Sequence, residues 1–262
     1  MHNEFHMVNG QPLKSESLPK VGSKSLKSFI LSWKDINRLF NFILFNTAHI
    51  DHTAEIAFKA LFYIEDDIEK KKLMEDNWKE RKGAVDELKA NRQLLLEVIL
   101  VRHLENYLNY LSSLLFEIFQ ACPSALKTSE KIEIEKVLEH DSIDSFIKNI
   151  AEQKVDSLSY SSLSKVSEYY KTKFGLSIGS ESELEMLSKN IEIRNISVHN
   201  RCMINKRYII RTNTDMNEIG KKKELFISDL DLVVPKLLSV SISVDKQARN
   251  KMKIKTIRFG KI

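Results

Sequence analysis

Apolar residues recur at helical spacing along most of the chain, and the first clear run begins after residue 24. Phe29, Trp33, Ile36, Phe40 and Ile43 stand three or four residues apart, which predicts an amphipathic helix from residue 25 to about 46. Residues 47–53 interrupt the pattern, and Asp51 or Thr53 reads as the N-cap of the next helical region. That region reaches Ala121 and is expected to bend near Gly83. Its middle, residues 65–92, is heavily charged around a sparse apolar set (Ile68, Met74, Trp78, Val85 and Leu88) and reads as a protruding or coiled-coil-like helix. At Leu94 the character changes. Residues 94–119 are apolar around most of the circumference and read as the central helix of a bundle.

Pro123 ends that helix, and three shorter ones follow over 129–139, 142–153 and 161–174. Gly175-Leu176-Ser177-Ile178-Gly179 has the spacing of a hydrolase nucleophile elbow, but it joins two helices and lacks the strand that the elbow requires. Ser180 with Glu183 forms a capping box that opens the next helix. Residues 207–211 and 224–227 can pair as a short hairpin. A last helix starts between Ser228 and Val234, accommodates Pro235 in its first turns and runs to Met252. The fold class expected is therefore all-α, with at most one small hairpin. Four parts follow: a loosely held N-terminus (1–24), a helical extension (25–93), a main helical domain (94–252) and a basic tail (253–262).

Composition agrees with that class, since 262 residues contain only seven Gly and four Pro. Two cysteines, Cys122 and Cys202, fall in helical segments without metal-ligand spacing, which argues for a reducing compartment and a cytoplasmic protein. No signal peptide is visible, and the apolar run 40–45 is far too short to span a bilayer, so no membrane partner is expected. Net charge is +5. From Lys246 onward there are Lys and Arg but no acid, which suits a phosphate-bearing partner and equally suits a solvated terminus.

The candidate chemistry lies in Ile191-Glu192-Ile193-Arg194-Asn195-Ile196-Ser197-Val198-His199-Asn200. At about 100° per residue, Leu184, Leu187, Ile191, Val198 and Cys202 form one apolar stripe, flanked by Arg194 on one side and by Asn195 and His199 on the other. Met186, Ile193 and Ile196 form a second strip, roughly opposite the first, and are expected to meet either a partner across a two-fold axis or the N-terminal helix around residues 29–43. On the central helix, Glu105 falls inside the arc of Val98, Val101, Leu108, Leu115 and Phe119, where a carboxylate needs a partner. It is expected either to pair with Arg194 or to be satisfied by a neighbouring Lys, Tyr or backbone group. His2 and His6, and His49 with His52, lack the further ligands of a metal site, so neither metal nor cofactor is expected.

Arg194-Asn195-x-x-x-His199, set late in a helical chain, resembles the signature of the HEPN superfamily. The ending Val244-Asp245-x-x-Ala248, followed by basic residues, is similar to the close of many HEPN domains, and the resemblance covers residues 94–252. It implies a metal-independent endoribonuclease: the RNA 2′-OH is the nucleophile, His199 transfers protons, Arg194 grips the phosphate, and Asn195 orients one or the other. Glu105 and Asn200 are the supporting residues. It further implies a homodimer with facing signature helices, products with 2′,3′-cyclic phosphate and 5′-OH ends, and a role as toxin or antiviral defence effector, with an antitoxin or defence-system partner. Two other readings stay open: an inert HEPN-type module that binds nucleotides or scaffolds a partner, and a helical interaction protein that uses the charged 65–92 segment.

Overall fold

The computed structural model describes residues 18–127 and 133–260. His2, His6 and the rest of the expected loose N-terminus up to residue 17 lie outside the described residues, as do the start of the 129–139 helix and residues 261–262 of the tail. Residues 18–24 do not trail loosely. They form strand β1 (Val21–Gly22), paired antiparallel with β2 (Ile257–Arg258). The Ser23 N–H donates to buried Asp245 at 3.2 Å, and Arg249 Nε donates to the same carboxylate at 2.7 Å. A Cβ on Gly22 would lie 2.5 Å from the Phe259 ring, so the small residue lets the two ends of the chain close on each other.

The Ser23 hydroxyl caps α1 (Lys24–Ile64) by accepting from the Leu26 N–H at 3.0 Å. This helix runs 41 residues without the break expected over 47–53. No Pro or Gly interrupts it there, and the Thr47 hydroxyl simply donates to the Ile43 carbonyl at 2.7 Å. Asp51 does serve as a cap, but of a helix 33 residues further on. It accepts from the N–H groups of Ala84 and Val85, both at 2.8 Å, and from Arg81 at 3.0 Å. Burial alone would push its carboxyl up; those donors outweigh it and hold the carboxyl below its ordinary range.

The charged middle is likewise not one protruding helix. It divides into α2 (Ile68–Glu80), capped by Asp67, and α3 (Ala84–Ala90), capped by Asp51, and both pack against α1. Phe58 stacks on Trp78 with ring centroids 4.4 Å apart.

The core is built around α4 (Arg92–Ala121), as its all-round apolarity predicts. After it come α5 (Ile134–Leu138), α6 (Ile143–Ser159), α7 (Leu163–Phe174), α8 (Glu181–Asn200), α9 (Lys206–Thr212) and α10 (Ile227–Met252). The first turns of α1, with α6, α8 and α10, pack on α4. Leu26, Phe29, Ile30 and Trp33 of α1 are buried there. Each large side chain enclosed in this way contributes about 1.5–3 kcal/mol. Tyr110 donates to the Ser241 carbonyl at 2.9 Å and Tyr170 to the Leu111 carbonyl at 2.6 Å, which satisfies both buried hydroxyls.

Residues 207–211 are helical, which corrects the expected hairpin. Asn205 caps α9 through the Tyr208 N–H at 2.9 Å, and Tyr208, Ile209 and Thr212 turn inward at helical spacing. The local β contact is a single bridge, Met203 to Lys222. Gly175 ends α7 with φ +62, a left-handed C-cap, and the capping box of Ser180 and Glu183 opens α8 as expected. Among the described residues no helix is long and apolar enough to cross a membrane.

Candidate functional site

The site is carried by α8, whose phase differs from the one its apolar residues suggest. Leu187, Asn190, Glu192, Ile193 and Ile196 are buried, while Val198 is 48% exposed. Leu184 and Ile191 are only partly buried. Ile193 and Ile196 face the interior of this same chain, so the expected partner interface through them is overturned. A polar side chain can turn inward when it is satisfied, and two here are. The Asn190 amide donates to the Met186 carbonyl at 2.9 Å, and Glu192 accepts from Arg211 of α9 at 2.6 Å.

Arg194 lies beside Glu105, as the functional reading of that carboxylate anticipates. Its Nη2 donates to Glu105 Oε1 at 3.1 Å, and its Nη1 to Asn195 Oδ1 at 3.1 Å. Arg102 reaches the other Glu105 oxygen at 3.5 Å. The Asn195 amide in turn faces Glu192 Oε2 at 3.4 Å. A chain of alternating charge therefore links α4, α8 and α9: Arg102, Glu105, Arg194, Asn195, Glu192, Arg211. Arg194 and Glu105 are 24% and 29% exposed, enough for a ligand to reach the pair. Each terminal guanidinium nitrogen has two N–H groups, so one on Nη1 and one on Nη2 remain for a phosphate oxygen. The Nε–H is buried and has no partner.

His199 stands apart from this chain. It is exposed in the last turn of α8 and makes no hydrogen bond among the described residues. Five residues of helix separate it from Arg194 by roughly 7.5 Å along the axis and about 140° around it. Asn195 bonds to Arg194 and Glu192, so it orients the cation and not the imidazole. Asn200 donates to the Met203 carbonyl at 2.6 Å and so ties the turn after α8, where Arg201 and Cys202 adopt φ 50 and φ 60. Its role there is to shape the helix end that bears His199.

Basic residues surround that end. Backbone bonds of Ile204 N–H to Lys221 O (2.9 Å) and Lys223 N–H to Cys202 O (2.8 Å) hold residues 221–223 against the loop after α8. Lys222 is paired with Glu97 at 3.3 Å and Lys221 with Glu218 at 2.8 Å. Arg201, Lys206, Arg207 and Lys223 have no carboxylate within ion-pair distance among the described residues. Their charge is available to an anion.

Among the described residues no group of three His, Cys, Asp or Glu side chains is placed to hold a metal ion; His49 and His52 sit one turn apart on α1 without a third ligand. Cys122 and Cys202 are free thiols. No family model, curated protein or solved structure matches the chain.

Sequence reasoning missed Glu192, Arg211 and Arg102. Glu192 carries a local signal, since it stands three residues before Asn195 on one helix face. Arg211 carries none, because a loop and a second helix bring it back to α8.

Proposed function

We propose that this protein is a metal-independent endoribonuclease of HEPN type, cleaving RNA through attack of its own 2′-OH. The observation that supports this best is Arg194. It is held by Glu105 and Asn195, keeps two N–H groups for phosphate, and shares its helix with exposed His199, beyond which follow Arg201, Lys206, Arg207 and Lys223, without a carboxylate partner among the described residues. RNA supplies the nucleophile, so the protein needs a proton acceptor, a proton donor and a fixed cation. His199 removes the 2′-OH proton as the 2′-oxygen bonds to phosphorus. Because Arg194 and His199 of one helix diverge by about 140°, charge on the pentavalent phosphorane falls on Arg194 of a second, facing copy. The P–O5′ bond then breaks, and the leaving oxygen takes a proton to give 2′,3′-cyclic phosphate and 5′-OH ends. The donor of that proton can be the His199 of that second copy. A toxin or antiviral defence role, with an antitoxin or defence-system partner, belongs to this same reading.

Incubation with bulk RNA in EDTA tests it. Cleavage with 2′,3′-cyclic ends, lost in both Arg194→Ala and His199→Ala, is the expected result; a His199→Ala protein that cleaves like wild type would falsify the assignment. One feature favours an inert RNA-binding module instead: His199 makes no hydrogen bond among the described residues that would set its tautomer. RNA retention without cleavage in the same assay would establish that alternative.

A further inference from the structure

We propose that α1, beyond the core, is the pairing surface for a second copy of this chain. From Leu39 to Tyr63 one face of the helix carries Leu39, Phe42, Phe45, Ile56, Ala60 and Tyr63 at helical spacing, with polar Asn46, His49 and Thr53 between them. None of these is buried. Phe42 is 63% exposed, Ile56 55% and Tyr63 86%, and Phe45, Ile50 and Ile64 are 66%, 53% and 70% exposed.

Asp51 and Phe58, on the opposite side of the helix, are the residues that α2 and α3 cover, through the Asp51 cap and the Phe58–Trp78 stack. In an isolated surface helix the apolar seam turns inward and the outer positions meet water. Here the outer positions are packed and the seam is open.

Area and pattern commit the occupant to a second copy. Aromatic side chains bury 150–250 Å² each when covered, so the three exposed rings offer about 400 Å². With Leu39, Ile50, Ile56 and Ile64 the strip reaches roughly 800 Å², one side of a standard interface and above the few hundred Å² usual for an open patch on a monomer. A strip with three- and four-residue spacing matches its own copy over about 36 Å of helix, and the polar residues Asn46, His49 and Thr53 in its middle are of the kind that set register between paired helices. Lipid fits less well. A helix that lies on a membrane is rimmed by Lys and Arg, whereas over residues 37–90 acidic residues slightly outnumber basic ones.

The test is sedimentation and light scattering of the full chain, without RNA, across a dilution series. Wild type should have twice the monomer mass of 30.4 kDa. Phe42→Glu with Ile56→Glu should return it to monomer mass with its thermal unfolding still cooperative, because neither side chain is in the core. Tyr63→Lys, at the exposed tip of the arm, should weaken the dimer and serves as a check should the double variant fold poorly. A wild type that stays monomeric at every concentration overturns the proposal, as does a folded double variant that stays dimeric. Wild-type binding to phosphatidylcholine–phosphatidylserine vesicles that the double variant loses would assign the face to lipid and overturn it too. Mass is read independently of cleavage, so this result and that of the RNA assay can fail separately.

Discussion

His103 on α4 and His199 on α8 present the same imidazole to opposite surroundings. His103 is 1% exposed, packs edge-on to Trp33 with centroids 6.4 Å apart, and has a hydrogen-bond partner on neither nitrogen. Burial pushes its pKa down to about 4, so the core holds it neutral and out of reach of any substrate. His199 sits in solvent at the end of a helix, among cations that have no carboxylate partner. The difference separates two placements of a histidine: one is a core side chain with unmade hydrogen bonds, and the other is open to solvent. Arg194 stands between these cases, partly enclosed and fully oriented.

The largest effect that can break this comparison is on cleavage. His199→Ala and Arg194→Ala should each reduce RNA cleavage by about a hundredfold or more, the usual scale for a lost proton-transfer group or charge stabiliser. His103→Leu should leave cleavage at neutral pH near wild type. If His103→Leu were the inactive variant, the roles assigned to the two imidazoles would be reversed.

Next in size is a pH effect on stability. The folded pKa of His103 lies below the unfolded value near 6.5, so between pH 6.5 and 4 the unfolded chain binds more protons. Wild type therefore loses stability as pH falls through that window, by about 2 kcal/mol at pH 5 from this group alone. His103→Leu should lose that part of the slope. Denaturant titrations of both proteins at neutral pH and at pH 5 give the comparison, and equal slopes would remove His103 as the acid-sensitive group.

A smaller effect is expected at Glu105. Glu105→Gln keeps an oxygen for Arg194 but removes the charge, and should cost about 1 kcal/mol because the pair is partly solvent-screened. Cleavage should fall further than that stability loss explains, since Arg194 would lose its fixed orientation. Unchanged melting and unchanged cleavage together would rule out the positioning role. The smallest effect is the stability of His199→Ala, expected within about 0.5 kcal/mol of wild type because the side chain is exposed and unbonded. Arg194→Ala should melt lower than His199→Ala, since it leaves Glu105 and Asn195 without their shared donor. Coincident melting curves for the two variants would contradict that ranking.

These contrasts also show where reading the chain succeeds. Residues 94–119 are apolar around most of the circumference, and a helix of that kind belongs at the centre of a bundle. The capping box at Ser180 and Glu183 is local chemistry and stands as read. The phase of α8 is different, because counting apolar residues placed Val198 inside and assigned Glu192 no face. A carboxylate turns inward only when something answers it, and the answering Arg211 arrives on another helix. Asp51 teaches the same lesson at longer range: its residue type announces a helix cap, but not which helix it will cap.

The all-α class, the central α4, the start of α8 and the residues from which a site can be argued are all legible along the chain. All of these rest on periodicity and on side-chain contacts within one or two turns. Tertiary structure alone decided that Arg194 meets Glu105 while His199 stays in solvent, that residues 65–90 fold back on α1, and that Asp245 clasps the N-terminal strand. Each of those depends on a partner brought in by the path of the chain, and a contact's energy is set by that partner's charge, distance and burial, which no local pattern contains.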